Sequence, residues 1–348
     1  MAYTAIDNPE LYFQTKLYAG TGSTLSVTYD GEEDMSANMI WLKSRSGTTN
    51  HHIFDTVRGV NKYLQANVTN AEGTASTMTT FGSNGFTVSS DSSVNASSST
   101  NVAWNWKCGT SVSGTTTGGT GKAYSGTVNT DAGISLITYL GNDNSAHVIP
   151  HHLGVAPELT IIKERSNVDI WVVQSSHLGI GNYMTLHTTS ASATNGGNFI
   201  TAVSSSTVTM NENAVNNAND QAYMLYSFAS KQGYSKVGTY VGNANADGTF
   251  IYLGFKPAFV MVKEASAAGE NWIIVDNKRT PGNPMEDTLY PNLSNAEDTG
   301  GHDYFDFLSN GMKPYTTNRG SNGANTYIYA AFAEQPFVTS TGVPATAR

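Results

Sequence analysis

The sequence predicts an all-β protein built from three tandem antiparallel β-sandwich units, and three observations carry that prediction. Gly, Ser, Thr and Asn abound, while only 13% of the 348 residues are charged, too few for the wet faces of long helices. Short apolar runs are separated by turn signals such as Asn-Gly and Asp-Gly. One set of short words also recurs three times along the chain, the mark of an internal repeat.

Each copy opens with a strand ending in Tyr-x-Gly: YFQTKLYAG (12–20), ISLITYLG (134–141) and YSKVGTYVG (234–242), with Tyr18, Tyr139 and Tyr240 in register. After a turn-rich stretch comes a strand ending in lysine: NMIWLK (38–43), ELTIIK (158–163) and AFVMVK (258–263). Lys43, Lys163 and Lys263 are expected to lay their stems over apolar surface and keep their charge in water. A third strand follows as IWVVQ (170–174) and NWIIVD (271–276), placing Trp171 and Trp272 at matching positions in the core between sheets; HHIFDT (51–56) is its counterpart in the first copy. The first and third copies share a Ser-Asn-Gly turn (FGSNGF, 81–86; FLSNGM, 307–312), and all three end on alternating strands, VAWNWK (102–107), AYMLYSFA (222–229) and YIYAAFAE (327–334).

These words divide the chain into a first unit with an N-terminal arm (1–107), a second unit (131–231) and a third with a C-terminal arm (232–348). Each is near the size of one β-sandwich. The Gly/Ser/Thr-rich segment 108–130 is expected to be a linker or a long surface loop. Two packed sheets per unit are expected, because one sheet would leave an apolar face wet.

Charge and motifs narrow the function classes. A net charge of −9 argues against nucleic acid, which needs clustered Lys and Arg. The single cysteine, Cys108, forbids an intrachain disulfide and has no neighbouring base. The N-terminus lacks the basic and apolar regions of a signal peptide, and no apolar run approaches the ~20 residues of a membrane span. His51-His52 and His151-His152 point to opposite faces if extended, so neither pair chelates one ion, and they are expected at strand ends or in loops. Asp55 with Arg58, and Asp276 with Arg279, are spaced for turn-stabilising ion pairs. The acidic run DGEED (30–34) lacks the spacing of a helix–loop–helix calcium site. No nucleophile–base–orienter set is found, and no catalytic, cofactor or metal residue is assigned.

The run WLKSRSGTTNHHIFDTVRG…FGSNGFTV…VAWNWK, with GVAPELTIIKERSNVDIWVV and YLGFKPAFVMVKEASAAGENWIIVDNKRTPGN…FLSNGMK…YIYAAFAEQPF, resembles the repeat domain of virion and tail-associated structural proteins of marine tailed bacteriophages, cyanophages included. The resemblance implies lectin-like sandwiches of the concanavalin or laminin-G jelly-roll class and a non-enzymatic role on the phage particle after synthesis in the host cytoplasm. Within that role it implies a tail-fibre or tail-associated host-recognition component, or else a head decoration. It implies contacts with other virion proteins, a homo-oligomer (a trimer by analogy) and contact with a host glycan. A glycan-binding lectin or polysaccharide-degrading enzyme is the alternative from another class. The N-terminal seventeen residues and the tail PFVTSTGVPATAR (336–348) are expected to reach another chain of the assembly.

Overall fold

The computed structural model describes residues 3–194, 199–302 and 304–344. The first repeat contains β1 (Phe13–Ala19), β2 (Leu25–Thr28), β3 (Met39–Ser44), β4 (His52–Asp55), β5 (Lys62–Gln65), β6 (Gly73–Thr74), β7 (Met78–Gly82), β8 (Gly85–Val88), a one-turn helix α1 (Ser92–Asn95) and β9 (Thr100–Trp106). Then come β10 (Thr110–Thr115) and β11 (Ala123–Asn129). The second repeat runs through β12 (Ile134–Leu140), β13 (His147–Pro150), β14 (Leu159–Glu164), β15 (Trp171–Ser175), β16 (Asn182–Thr185), β17 (Ala193–Thr194), β18 (Ile200–Val203), β19 (Thr207–Met210), α2 (Ala214–Asn217) and β20 (Ala222–Phe228). The third has β21 (Ser235–Val241), β22 (Ile251–Tyr252), β23 (Phe255–Glu264), β24 (Ile273–Asp276), β25 (Asp306–Leu308), β26 (Gly311–Lys313), α3 (Arg319–Asn322) and β27 (Thr326–Pro336).

The protein is all-β, with antiparallel sheets, and its strand order is written three times. The large sheets contain β1-β9-β3-β4, β12-β20-β14-β15 and β21-β27-β23-β24; the small ones are β2-β8-β7, β13-β19-β18 and β22-β26-β25. Register repeats with order. Met39 lies opposite Asp55 and Trp106, Leu159 opposite Ser175 and Phe228, and Phe259 opposite Asp276 and Phe332.

Side-chain alternation gives each large sheet two apolar faces. Even positions of β3, Ile40 and Leu42, pack with Val27, Phe86 and Val88 beneath the small sheet of the first repeat. Ile162 and Leu225 do the same in the second repeat, and Val260 and Val262 in the third. The opposite faces meet one another. Trp41, Trp104, Trp106, Ile161, Tyr226, Phe228, Phe259, Met261 and Phe332 belong to a single apolar cluster drawn from all three repeats. The rings of Trp106, Phe259 and Phe332 make edge and tilted contacts there, at centroid distances of 5.6–6.0 Å. The three repeats therefore share a central core and do not hang as separate beads.

One expectation is corrected here. Residues 108–130 are not a loose linker: β10 and β11 form a hairpin that extends the second large sheet, with β11 paired to β12 from Asn129–Ile134 to Tyr124–Tyr139. The segment looks unstructured because β10 is almost wholly exposed and only Tyr124, Gly126, Thr127 and Val128 of β11 are buried. The N-terminal arm is occupied by its own chain. Tyr3 Oη donates to the Gly254 carbonyl (2.9 Å), Thr4 Oγ1 to the Gln232 carbonyl (2.9 Å), and Asp7 accepts from the Ser340 amide (2.6 Å). These contacts clip the start of the first repeat onto the third and engage part of the tail as well. Residues 1–2 of that arm and 345–348 of the tail lie outside the described residues.

Candidate functional site

The repeated tyrosines perform one task in three places. Tyr18, Tyr139 and Tyr240 each donate a 2.6 Å hydrogen bond to a carbonyl of the one-turn helix before the closing strand, that of Val94, Asn216 and Ser321. The next residue in each helix is a buried asparagine: Asn95, Asn217 or Asn322. Its Oδ1 accepts from the amide of Thr21, Asn142 or Asn243, just after the Tyr-x-Gly word, and its Nδ2 donates to loop carbonyls such as Ser89, Asn211 and Thr316. Asp91, Asn213 and Asn318 cap the same helices. The glycine of Tyr-x-Gly follows from this closeness: a Cβ on Gly20, Gly141 or Gly242 would lie 2.1–2.2 Å from the carbonyl oxygen of Ala96, Ala218 or Gly323. The signal for the hub is Asp/Asn-x-x-x-Asn-Ala/Gly, in DSSVNA, NAVNNA and NRGSNG.

The lysines depart from expectation. Lys43, Lys163 and Lys263 are each 0% exposed, so their ammonium groups do not reach water. Each Nζ instead donates to a main-chain carbonyl one residue on, at Ser44 (2.6 Å), Glu164 (2.7 Å) and Glu264 (2.7 Å), and Lys43 adds Gly47 (2.9 Å). Burial pushes all three down from 10.5 to about 8, against nearby carboxylates that favour the charge.

Three of the four paired histidines are also more enclosed than loop residues: His51, His52 and His151 are buried, while His152 is exposed. His51 occupies the position of Trp171 and Trp272 in the repeat. It accepts from Trp41 Nε1 at 3.0 Å, and burial holds its ring well below the usual histidine range.

Trp171 and Trp272 are buried, but between repeats rather than between the two sheets of one repeat. Trp171 Nε1 donates to the Gln65 and Val68 carbonyls of the first repeat (2.9 and 3.1 Å), and Trp272 Nε1 to the Thr185 carbonyl of the second (3.0 Å). Main-chain bonds cross all three junctions at matching places: Glu72 N to Arg165 O, Ser192 N to Ala265 O, and Glu297 N to Arg45 O, at 2.7–2.9 Å. Charges reinforce two of them. Arg58 is buried against Asp55 (2.6 Å) beside Glu72, which also pairs with Arg165 (2.8 Å). Arg279 is buried against Asp276 (2.5 Å) and Glu297 (3.0 Å), and Glu297 pairs with Arg45 (2.6 Å). Asp55 also accepts from Tyr226 of the second repeat (3.2 Å), and Asp276 from Trp104 of the first (2.9 Å).

Two of the surface recesses involve the third repeat. The larger, about 600 Å³, lies between the first and third repeats, with Phe13, Gln14 and Thr15 on one side and Asn277, Lys278 and Gly282 on the other. A polar recess of about 390 Å³ in the third repeat holds Asp298, which accepts from Tyr290 Oη (2.8 Å) and pairs with His302 Nε2 (3.0 Å). Burial works to raise the Asp298 carboxyl, but the bonds from Tyr290, Gly300 N and His302 prevail and hold it below the usual range. Asp30 of the acidic run pairs with Lys16 at 3.1 Å, and Asp34 accepts from Asn84 at 2.6 Å. Among the described residues no three His, Cys, Asp or Glu side chains converge on a metal position. Among the described residues no helix is long and apolar enough to cross a membrane. The Cys108 thiol is buried against the Thr127 and Ile134 carbonyls (3.1 and 3.4 Å), and burial pushes it up to about 12.

The chain belongs to the family described as Domain of unknown function (DUF7483), whose model matches residues 8–336. No curated protein and no solved structure matches the chain.

Proposed function

We propose that the protein is a non-enzymatic structural component exposed on the particle of a tailed phage, in a tail-associated, host-recognising position. In this reading the three sheet pairs are three jelly-roll sandwiches of the concanavalin or laminin-G class, fused into one chain around a pseudo-threefold axis. The observation that carries it is the spending of repeated polar residues on architecture. The tyrosines, hub asparagines, buried lysines and Asp–Arg pairs recur in two or three copies, each tied to main chain or to a neighbouring repeat. A rigid body of this kind suits display and assembly on a particle, and its outer loops suit contact with a partner protein or a host glycan. One chain supplies by itself the threefold arrangement that a trimer of single-repeat chains would need.

Locating the chain on intact particles by electron cryomicroscopy tests the reading. Density for three fused sandwiches at the tail fits it, and density at the head reassigns it to decoration. Absence from particles, or turnover of host polysaccharide by the purified protein, would defeat it.

A further inference from the structure

Two equivalent edge strands of the chain differ in whether a neighbour covers them. In the second repeat, β11 lies along the outer edge of β12, with Asn129, Thr127 and Ser125 opposite Ile134, Leu136 and Thr138. The equivalent strand of the first repeat is β1: Phe13 pairs with Trp106 as Ile134 pairs with Phe228, and Tyr18 matches Tyr139. The Lys107 amide bonds the Tyr12 carbonyl and the Gly20 amide bonds the Ser99 carbonyl, so alternation aims the even-numbered residues of β1 at β9. The main-chain groups of Phe13, Thr15 and Leu17 therefore face outward, and β1 is the last strand of its sheet.

The surroundings correspond as well. Thr56 and Val57, just after Asp55, face β10 and β11 across a shallow groove. Asn277 and Lys278, just after Asp276, face β1 across the recess of about 600 Å³. The place that β11 fills in one junction is open in the other. Two groove-lining atoms, Thr15 Oγ1 and Asn277 Oδ1, are buried with no hydrogen-bond partner, and Thr15 is only 4% exposed.

We infer that this groove is a strand-accepting slot, in which an extended segment of a partner protein adds to β1 in the register that β11 takes on β12. Main-chain bonds to Phe13, Thr15 and Leu17 supply the affinity. Side chains set the choice of partner. Gly126 and Val128 stand where the partner would face Lys16 and Gln14, so the segment carries a small or acidic residue opposite Lys16 and an apolar one opposite Gln14. Lys16, paired with Asp30, keeps this edge from pairing indiscriminately. The slot goes beyond the role proposed above and holds wherever on a particle, or off it, the protein resides.

Hydrogen exchange on the full chain tests the slot directly. The amides of Phe13, Thr15 and Leu17 should exchange at least about tenfold faster than those of Ile134, Leu136 and Thr138. A peptide of residues 123–129, AYSGTVN, should slow the first set and leave the second unchanged; a scrambled peptide should do neither. Gly282→Trp fills the groove at a position where a Cβ meets nothing within 4 Å, so it should abolish the peptide's effect with melting unchanged. Protection of the β1 amides in the free protein at all concentrations, or peptide binding unaffected by Gly282→Trp, would overturn the slot. Protection that grows with concentration alongside dimer formation would give the slot to a second copy and overturn the partner-segment assignment.

Discussion

The buried lysines make a quantitative claim about pH, and Lys263→Met is the cleanest way to test it. Lys263 is 0% exposed, and burial lowers its ammonium from 10.5 to about 8, with Glu264 and Glu270 partly opposing the shift and Arg319 adding to it. At ~1.4 kcal/mol per pKa unit, holding this ammonium charged costs the folded state about 3 kcal/mol. A lysine with a depressed folded pKa reverses the usual sense of linkage. The cost is fully present below pH 8. Between 8 and 10.5 the unfolded chain holds the proton and the folded chain does not, so stability rises with pH across that window. The upper part is cut off by buried phenols such as Tyr139 and Tyr240. Burial raises them well above 10, so stability falls once the unfolded phenols begin to ionise. Urea unfolding at pH 7 and pH 10 should therefore show the wild type gaining about 2.5 kcal/mol relative to Lys263→Met. Carbon-13 labelling of the lysine ε-carbons should show three groups titrating near pH 8. Parallel pH curves for the two proteins, or an ammonium that titrates above 10 at Lys263, would refute the reasoning.

Three further outcomes follow from the junctions and the hub. Trp272→Ala should cost about 3–5 kcal/mol in thermal or urea unfolding, from the cavity left in the shared core. Trp272→Phe should cost less while freeing the Thr185 carbonyl, seen as faster exchange nearby. Arg279→Leu should cost about 3–5 kcal/mol by stranding the buried Asp276, and adding Asp276→Leu should recover much of that loss. Gly141→Ala should lower stability by about 1–3 kcal/mol, because its Cβ would sit 2.2 Å from the Ala218 carbonyl oxygen and the chain must shift.

The elements legible in the sequence were those whose local pattern and tertiary role agree. The Tyr-x-Gly words announced themselves because tyrosine, glycine and strand alternation recur together in all three repeats. The asparagine hub was harder to see. Its helices are one turn long, and DSSVNA, NAVNNA and NRGSNG share little beyond the cap and the asparagine. A lysine at the end of an apolar strand ordinarily reaches water, and only the enclosure of the strand end turns Lys43, Lys163 and Lys263 inward. The hairpin of 108–130 was hidden for the opposite reason: β11 is held by the edge of β12 and needs little apolar surface of its own. The central core follows from neither words nor periods. Apolar residues on both faces of β3, β14 and β23 signal burial on both sides, but not that the second partner is another copy of the same unit.

The distribution of charge among the junctions matches how tightly the chain already ties them. The second and third repeats follow one another after a short connection between Phe228 and Ser235, so their faces are held at high effective concentration. Among the described residues their junction carries no counterpart of the Asp–Arg–Glu cluster: Ser175, Leu178, Ser192 and Ala265 stand at the positions of Asp55, Arg58, Glu72 and Arg165, and Ala330 at that of Tyr226. The first and second repeats are separated by the β10–β11 excursion, and the first and third are joined only through the second. Those two junctions hold the buried ion clusters, and the latter adds the clip made by Tyr3 and Thr4. A buried carboxylate without its guanidinium and indole or phenol partners is costly, so such a cluster accepts only the correct face and rejects an apolar one. Members of a cluster must then be present or absent together, as Asp276 with Trp104 and Ser175 with Ala330 are. In a chain whose three faces are alike in strand order, charge at the two loosely tethered junctions favours the pairing of each face with its proper neighbour.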